Sequence, residues 1–176
     1  MPCAGTRICL PMIWNFANGK LTKIDASNLP DGSGVSEMRN LANSEIPSAL
    51  QIYERDLTKT LRIDLAFGQP VALGLYCNGL IQITAPWKLV KNEDQQTVLD
   101  AVLYHLAETL RIIAILISPT LPKAAHGIFD QLNWKMELSG NEERFSLADA
   151  EWGGLPDGHI VGKPVPLFPR IETTEL

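Results

Sequence analysis

With 176 residues, 45% hydrophobic and 20% charged, the chain is long enough for one compact domain with a real core and too short for two large ones. A net charge of -5 excludes a protein that coats nucleic acid by charge alone, because counterion release needs several clustered Lys and Arg, so any nucleic-acid contact has to be local. Three cysteines, Cys3, Cys9 and Cys77, are widely spaced and form no CxxC pair, which suggests neither a disulfide framework nor a zinc site and points to a reduced, cytoplasmic compartment.

The first residues, MPCAGTRICLPMIWNF, lack a basic leader followed by an apolar run of signal-peptide length. Residues Ile8 to Phe16 read as the end of a helix with Pro11 awkward inside it, and Asn18-Gly19 as its stop. The run KLTKIDASNLPDGSG, Lys20 to Gly34, is polar and rich in turn formers, hence a connecting loop. From Ser36 a second helical pattern carries Met38, Leu41, Ile46, Leu50 and Tyr53, and Pro47 should kink or divide it. Leu61 to Leu80 is interrupted by Gly68, Pro70, Gly74 and Gly79, which break any long helix, and shows no clean apolar period, so its local structure is left open.

After ITAPWKLVK, Ile83 to Lys91, the segment NEDQQ offers a capped start to the strongest helix. Val98, Leu99, Val102, Leu103, Leu106, Leu110, Ile113 and Ile117 recur at three-four spacing, and from Ile112 the pattern is apolar nearly all round, which places that half at the centre of a bundle until Pro119 ends it. The apolar run IIAILI is far shorter than the roughly 20 residues a bilayer span needs, so no membrane contact is expected. Pro122 suits the first turn of a further helix with Ala125, Ile128, Phe129 and Leu132 on its apolar side. Beyond Ser139, Gly, Pro and Asp dominate, and VGKPVPLFPRIE fits an extended arm that needs a surface to lie on. The expected architecture is all-α: a helical bundle over residues 1–138, atypical at 55–82, then a loop and extended Pro-rich arm over 139–176.

Most chemical signatures are missing. The glycines form neither GxGxxG nor GxxxxGK[ST]. His105 and His126 lie on separate expected helices and His159 in a loop, without the spacing that puts two imidazoles on one metal, so no metal site is expected. The acids Glu137, Glu142, Glu143, Asp149 and Glu151 read as solvated surface, and Ser44, Ser118 and Ser146 lack a nucleophile elbow. No catalytic residue is nominated. The motif APWKLVK is different: Pro86 can halt the preceding segment and hold Trp87 at a helix entrance, while Lys88 and Lys91 lie near enough to meet phosphates. Trp87 is then either a platform for an unpaired base or an ordinary core aromatic with solvated lysines beside it.

Three segments, APWKLVK (Ala85–Lys91), YHLAETLRIIAILISPTLPKAAHGIFDQL (Tyr104–Leu132) and GKPVPLFPRIE (Gly162–Glu172), together resemble the anticodon-binding region of the methionyl-tRNA synthetases, class I aminoacyl-tRNA synthetases. Asn15 to Leu57 match more loosely. The resemblance implies a class I anticodon-binding helical bundle that reads the CAU anticodon of methionine tRNA, with Trp87 stacking on an unstacked anticodon base beside Pro86. It also implies an arginine and an asparagine reading base edges from the first helix. Arg7 falls at the arginine position, whereas the asparagine position falls near Cys3, which cannot replace an amide. The family's arm runs back toward the catalytic domain, whose HIGH and KMSKS signatures are not in this sequence. The implied role is therefore tRNA recognition for a methionine–tRNA ligase, with ATP and a divalent metal belonging to the full-length enzyme and no activity expected of this chain alone. The competing reading is a free-standing, non-catalytic helical module that binds tRNA or a protein. The first dozen residues and Leu61–Leu80 depart from the family, as short reading-frame changes would make them, and a bundle so altered is expected to lack one proper helix. A single clean frame through both stretches of the source DNA would refute that origin.

Overall fold

The computed structural model describes residues 4–32, 34–134 and 146–167, with side chains from residue 9 onward. Helix α1, Ala4–Ala17, runs through Pro11 and stops where Asn18 and Gly19 turn left-handed, φ 49° and 77°. Gly19 is needed there for a second reason: a Cβ would come within 3.1 Å of the Trp14 ring. The polar loop that follows leads to α2, Val35–Asn40. A single wide π-turn, Leu41–Glu45, then joins α2 to α3, Ile46–Thr58. Pro47 explains the division, because a proline in a helix interior loses a hydrogen bond and clashes with the carbonyl four residues back. The π-turn removes that conflict by placing Pro47 in the first turn of α3.

The stretch whose glycines and proline were expected to break any long helix is a long helix. Helix α4 spans Ile63–Thr84, 22 residues, with Pro70 inside it. Its buried residues, Ala66, Pro70, Leu73, Cys77, Leu80, Ile81 and Thr84, recur at three and four, so a helical period is present. Leu65, Val71, Leu75 and Ile83 on the outward side are apolar as well and exposed, which hides the period from a reading by hydrophobicity alone.

Ala85 breaks α4 in a left-handed conformation, φ 44° and ψ 66°, and the one-turn helix α5 follows at Pro86–Leu89. A 3-10 turn at Glu93–Gln95, whose first N–H groups are met by the Asn92 side chain accepting from Asp94 N at 3.2 Å, leads into α6, Gln96–Ile117. Helix α7, Pro122–Leu132, starts on its proline and ends at Asn133, φ 51°.

Helix α6 is the axis of the bundle. Every residue from Ala101 to Leu116 is buried, with α1, α4, α5 and α7 packed around it and α3 resting on α4. Tyr53 of α3 reaches the far end of the axis, donating its hydroxyl to the Leu116 carbonyl at 2.7 Å. Cys9 and Cys77 are buried with free thiols, and burial pushes the Cys77 thiol up to about 12, so both remain protonated and inert.

The arm finds its surface on this same core. Ala150, Leu155 and Val161 join the buried apolar cluster. Residues 19–23 pair with 157–161 through Leu21 N–H to His159 O (2.8 Å), Gly158 N–H to Leu21 O (2.9 Å) and the antiparallel bridge between Lys20 and Ile160. Further along, Val165 N–H donates to the Gln131 side chain at 2.8 Å and Leu167 lies against Gly127 of α7. The expected boundary at 138/139 and the arm beyond Leu167 fall outside the described residues.

A buried charge pair fastens the arm to α6. Glu108 and Arg111 have fully buried side chains, 2.6 Å apart. The Glu108 carboxylate also accepts the N–H groups of Gly153, Gly154 and Leu155 at 2.8–3.1 Å. Arg111 donates to the carbonyls of Asp149 and Glu151 and lies 4.8 Å from the Trp134 ring centre. Gly154 leaves the room for this, since a Cβ there would come 2.6 Å from Arg111 Cζ.

Candidate nucleic-acid interface

The APW motif sits at the corner between α4 and α6, and its neighbours leave it one way to face. Ala85 N–H still completes α4 by donating to Ile81 O at 2.9 Å, while Ala85 O accepts Lys88 N–H at 2.7 Å and so begins α5. The left-handed backbone at a non-glycine costs about 1–2 kcal/mol; the surroundings that hold it include Gly34, φ 85°, where a Cβ would come within 2.1 Å of the Thr84 side chain. The loop before α2 thus backs the last turn of α4.

On this short turn Pro86 and Leu89 are buried against the bundle. Trp87 is not a core residue: 47% of its surface is exposed. Lys88 and Lys91 are exposed beside it, Lys91 one helical turn on from the indole. A half-open aromatic side chain on a turn that begins with a buried proline, with two cations within one turn, can stack an unpaired base and meet the flanking phosphate. The next residues, Glu93 and Asp94, are acidic and exposed, which confines the positive charge to this turn.

Other residues singled out in the sequence lie elsewhere. Arg7 is on α1, but its side chain is outside the described residues, as is Cys3. His105 is buried on α6, where Nδ1 donates to the Ala101 carbonyl at 2.8 Å and the ring lies 5.0 Å from that of Trp152. His159 Nε2 donates to Leu132 O at 2.6 Å, and His126 is exposed on α7. The three do not converge. Asp149 caps a 3-10 turn with Ser146, and Glu137, Glu142 and Glu143 are outside the described residues. A polar cavity of about 250 Å³ lies between Lys23, Asp25, Arg39, His105 and Trp152, away from α5. The sequence reading missed the Glu108–Arg111 clasp, although two opposite charges three apart in an otherwise apolar helix were its visible signal.

Residues 29–176 match the family described as the anticodon binding domain of methionyl tRNA ligase. The chain belongs to that family. It is also similar to methionine–tRNA ligases. That of Enterococcus faecalis is 38% identical over 164 residues, 93% of this chain and 22% of that protein. That of Listeria innocua is 38% identical over 115 residues, 64% and 16% of the two. Apo methionyl-tRNA synthetase from Mycobacterium tuberculosis shares the fold, with a TM-score of 0.72 at 21% identity over 96% of this chain and 31% of that one. The chain therefore spans about a fifth of the length of these curated relatives. The family match includes α4 to α7 and the arm, and it leaves α1 with Arg7 outside.

Proposed function

We propose that this anticodon-binding domain reads the CAU anticodon of methionine-specific tRNA, with Trp87 stacking on one unstacked base. Pro86 fixes the turn that carries the indole, Lys88 and Lys91 meet backbone phosphates, and Arg7 hydrogen-bonds a base edge from α1. The observation that supports this reading best is the half-exposed Trp87 on a turn that Pro86 and Leu89 bury against the bundle. A tryptophan with that much exposed surface gains most when a second aromatic surface covers it. With a net charge of -5, the chain cannot rely on a broad basic surface, so discrimination must come from such local contacts.

The reaction served is ATP-dependent attachment of methionine to its tRNA, carried out by the catalytic part of the same enzyme. Among the described residues no group of three or more His, Cys, Asp or Glu could hold a metal ion, and the chain lacks a phosphate-binding loop. On this reading ATP and the metal belong to the catalytic part, and this domain contributes binding.

The test is binding of the chain to a CAU anticodon stem-loop and to one with a changed anticodon, for the parent, Trp87→Phe and Trp87→Ala. Loss of one base stack, roughly 1–3 kcal/mol, predicts about 5- to 150-fold weaker CAU binding for Trp87→Ala and partial retention in Trp87→Phe. Equal affinity of parent and Trp87→Ala for the CAU loop, with helix content unchanged, would refute the role of Trp87.

A further inference from the structure

The direction in which Trp87 points is set by the turn before it. Helix α4 ends at Thr84, Ala85 reverses the chain with φ 44° and ψ 66°, and Pro86 starts α5. The φ of a proline is fixed and the left-handed region that Ala85 occupies is small, so the turn is a stiff bracket on the end of α4. Pro86 and Leu89 seat that bracket against the bundle. A displacement at Thr84 is passed on to the indole three residues further along, and what holds Thr84 therefore helps to decide where Trp87 stands.

Thr84 is buried and its side chain is fixed from two directions. The hydroxyl donates to the Leu80 carbonyl at 2.7 Å, one turn back on α4, which selects the rotamer. In that rotamer the methyl carbon Cγ2 fills the space in front of Gly34, closer to the place of a Cβ there than two such atoms can approach. The methyl is a knob and the bare α-carbon of Gly34 is its hole. The hole is anchored in turn. Gly34 caps α2 with φ 85°, and its carbonyl accepts Met38 N–H at 3.0 Å. Arg39 of α2 ties down the loop before it, donating to the carbonyls of Ala26 and Leu29 at 2.9 and 2.5 Å and to the Asp31 carboxylate at 2.6 Å.

We infer that Gly34 and Thr84 are positioning residues for Trp87: their interlocked contact sets the place and direction of the indole, and through it the N-terminal end of α2 bears on anticodon recognition. The effect on recognition rests on the stacking role proposed for Trp87, whereas the position of the indole is a property of the chain without RNA. The contact has room for one methyl group and not two. A second one, added at Gly34, has to push the end of α4 away by on the order of 1 Å before the two carbons reach van der Waals separation. Moving the methyl from Thr84 to Gly34 conserves the volume, because once Cγ2 is gone the nearest atom to the new Cβ is the Cβ at position 84, at an ordinary 3.5 Å.

The test is a double-mutant cycle on the 176-residue chain with Gly34→Ala, Thr84→Ser and the two together, read at a temperature where far-UV circular dichroism shows the variants folded. Without RNA, the fluorescence due to Trp87 is obtained by subtracting the Trp87→Phe counterpart of each chain. Its emission maximum and acrylamide quenching should shift in Gly34→Ala, shift less in Thr84→Ser, which empties the hole but keeps the hydroxyl bond, and return to the parent's in the double variant. Affinity for the CAU stem-loop should fall at least about tenfold in Gly34→Ala, as loss of one base stack allows, and come back to within about twofold in the double variant. The φ of 85° strains an alanine in both chains that carry it, so the thermal midpoint of the double variant stays below the parent's while affinity returns; a merely structural role would move the two together. Gly32→Ala, in the same loop with only the Pro30 carbonyl near its Cβ, at 3.9 Å, should alter neither readout. If Gly34→Ala does not fold, Thr84→Ser against the double variant decides, since refilling the hole has to restore the Trp87 signal. An unchanged Trp87 signal in folded Gly34→Ala, or a double variant that does not recover it, overturns the inference. Equal CAU affinity of the parent and Trp87→Ala would instead refute the stacking role, and the signal without RNA would still decide the position of the indole.

Discussion

Trp87 and the two lysines beside it are the residues on which the proposed recognition turns, and on that proposal their contributions separate by salt. Stacking is insensitive to ionic strength, whereas each phosphate contact to a single strand adds ~0.7 to the slope of log affinity against log salt. Replacing Lys88 and Lys91 together with Gln should lower that slope by about 1.4 and weaken CAU and changed-anticodon loops equally. A titration at four or five salt concentrations measures it, and an unchanged slope would remove both lysines from the interface. His105 makes a different kind of statement. Burial is the main reason its pKa lies below the ordinary value, outweighing the Ala101 hydrogen bond and the more distant carboxylates of Asp25 and Glu108, which act the other way. The folded chain therefore keeps His105 neutral while the unfolded chain takes up a proton below about pH 6.5, so stability falls as pH drops below that point toward the lowered folded value. Urea midpoints at pH 5 and pH 7.5 should differ less in His105→Gln than in the parent; equal differences would mean that other groups carry the acid sensitivity.

At the scale of elements, α4 shows what burial can override. One proline and three glycines inside a helix cost about 3 kcal/mol for the proline and up to about 1 kcal/mol for each glycine relative to alanine, and no sequence-local term repays that. Contacts with α1, α3 and α6 do, through the stripe from Ala66 to Thr84. The helix is thus held by its neighbours, and its own propensity is a reserve left unused. Gly74→Ala should stabilise the chain by about 0.5–1 kcal/mol, a rise of about 1–4 °C in the melting midpoint of a chain this long, because a Cβ at that position meets nothing within 4 Å. A fall in the calorimetric midpoint would show that α4 is not a continuous helix there. The joint between α2 and α3 was easier to foresee: Pro47 announces a break, and a single π-turn is the smallest break that keeps both halves on one axis.

At the scale of the molecule, the Glu108–Arg111 pair decides how the arm is attached. Two buried charges and the backbone groups around them satisfy one another, and removing one partner strands the other in a medium that cannot solvate it. Glu108→Gln should cost about 3–5 kcal/mol in urea unfolding, far more than the ~0.3–0.5 kcal/mol that an exposed pair at helical spacing contributes; a loss within the exposed-pair range would mean that the arm is held by its apolar contacts alone. The sequence by itself determined the all-α class, α6 as the central helix, the proline-marked starts of α3 and α7, and the motif that carries Trp87. Each of these is written in local terms: a 3.6-residue period, a fixed proline φ, a capping side chain. Three things were decided only by tertiary structure: that a Gly- and Pro-broken stretch becomes α4, that the arm shares the core of the bundle, and that Trp87 faces outward instead of inward. In each of them the deciding term is contact with residues far away in the chain, Thr84 with Gly34 and Glu108 with Gly153 to Leu155. No window of neighbouring residues contains that information.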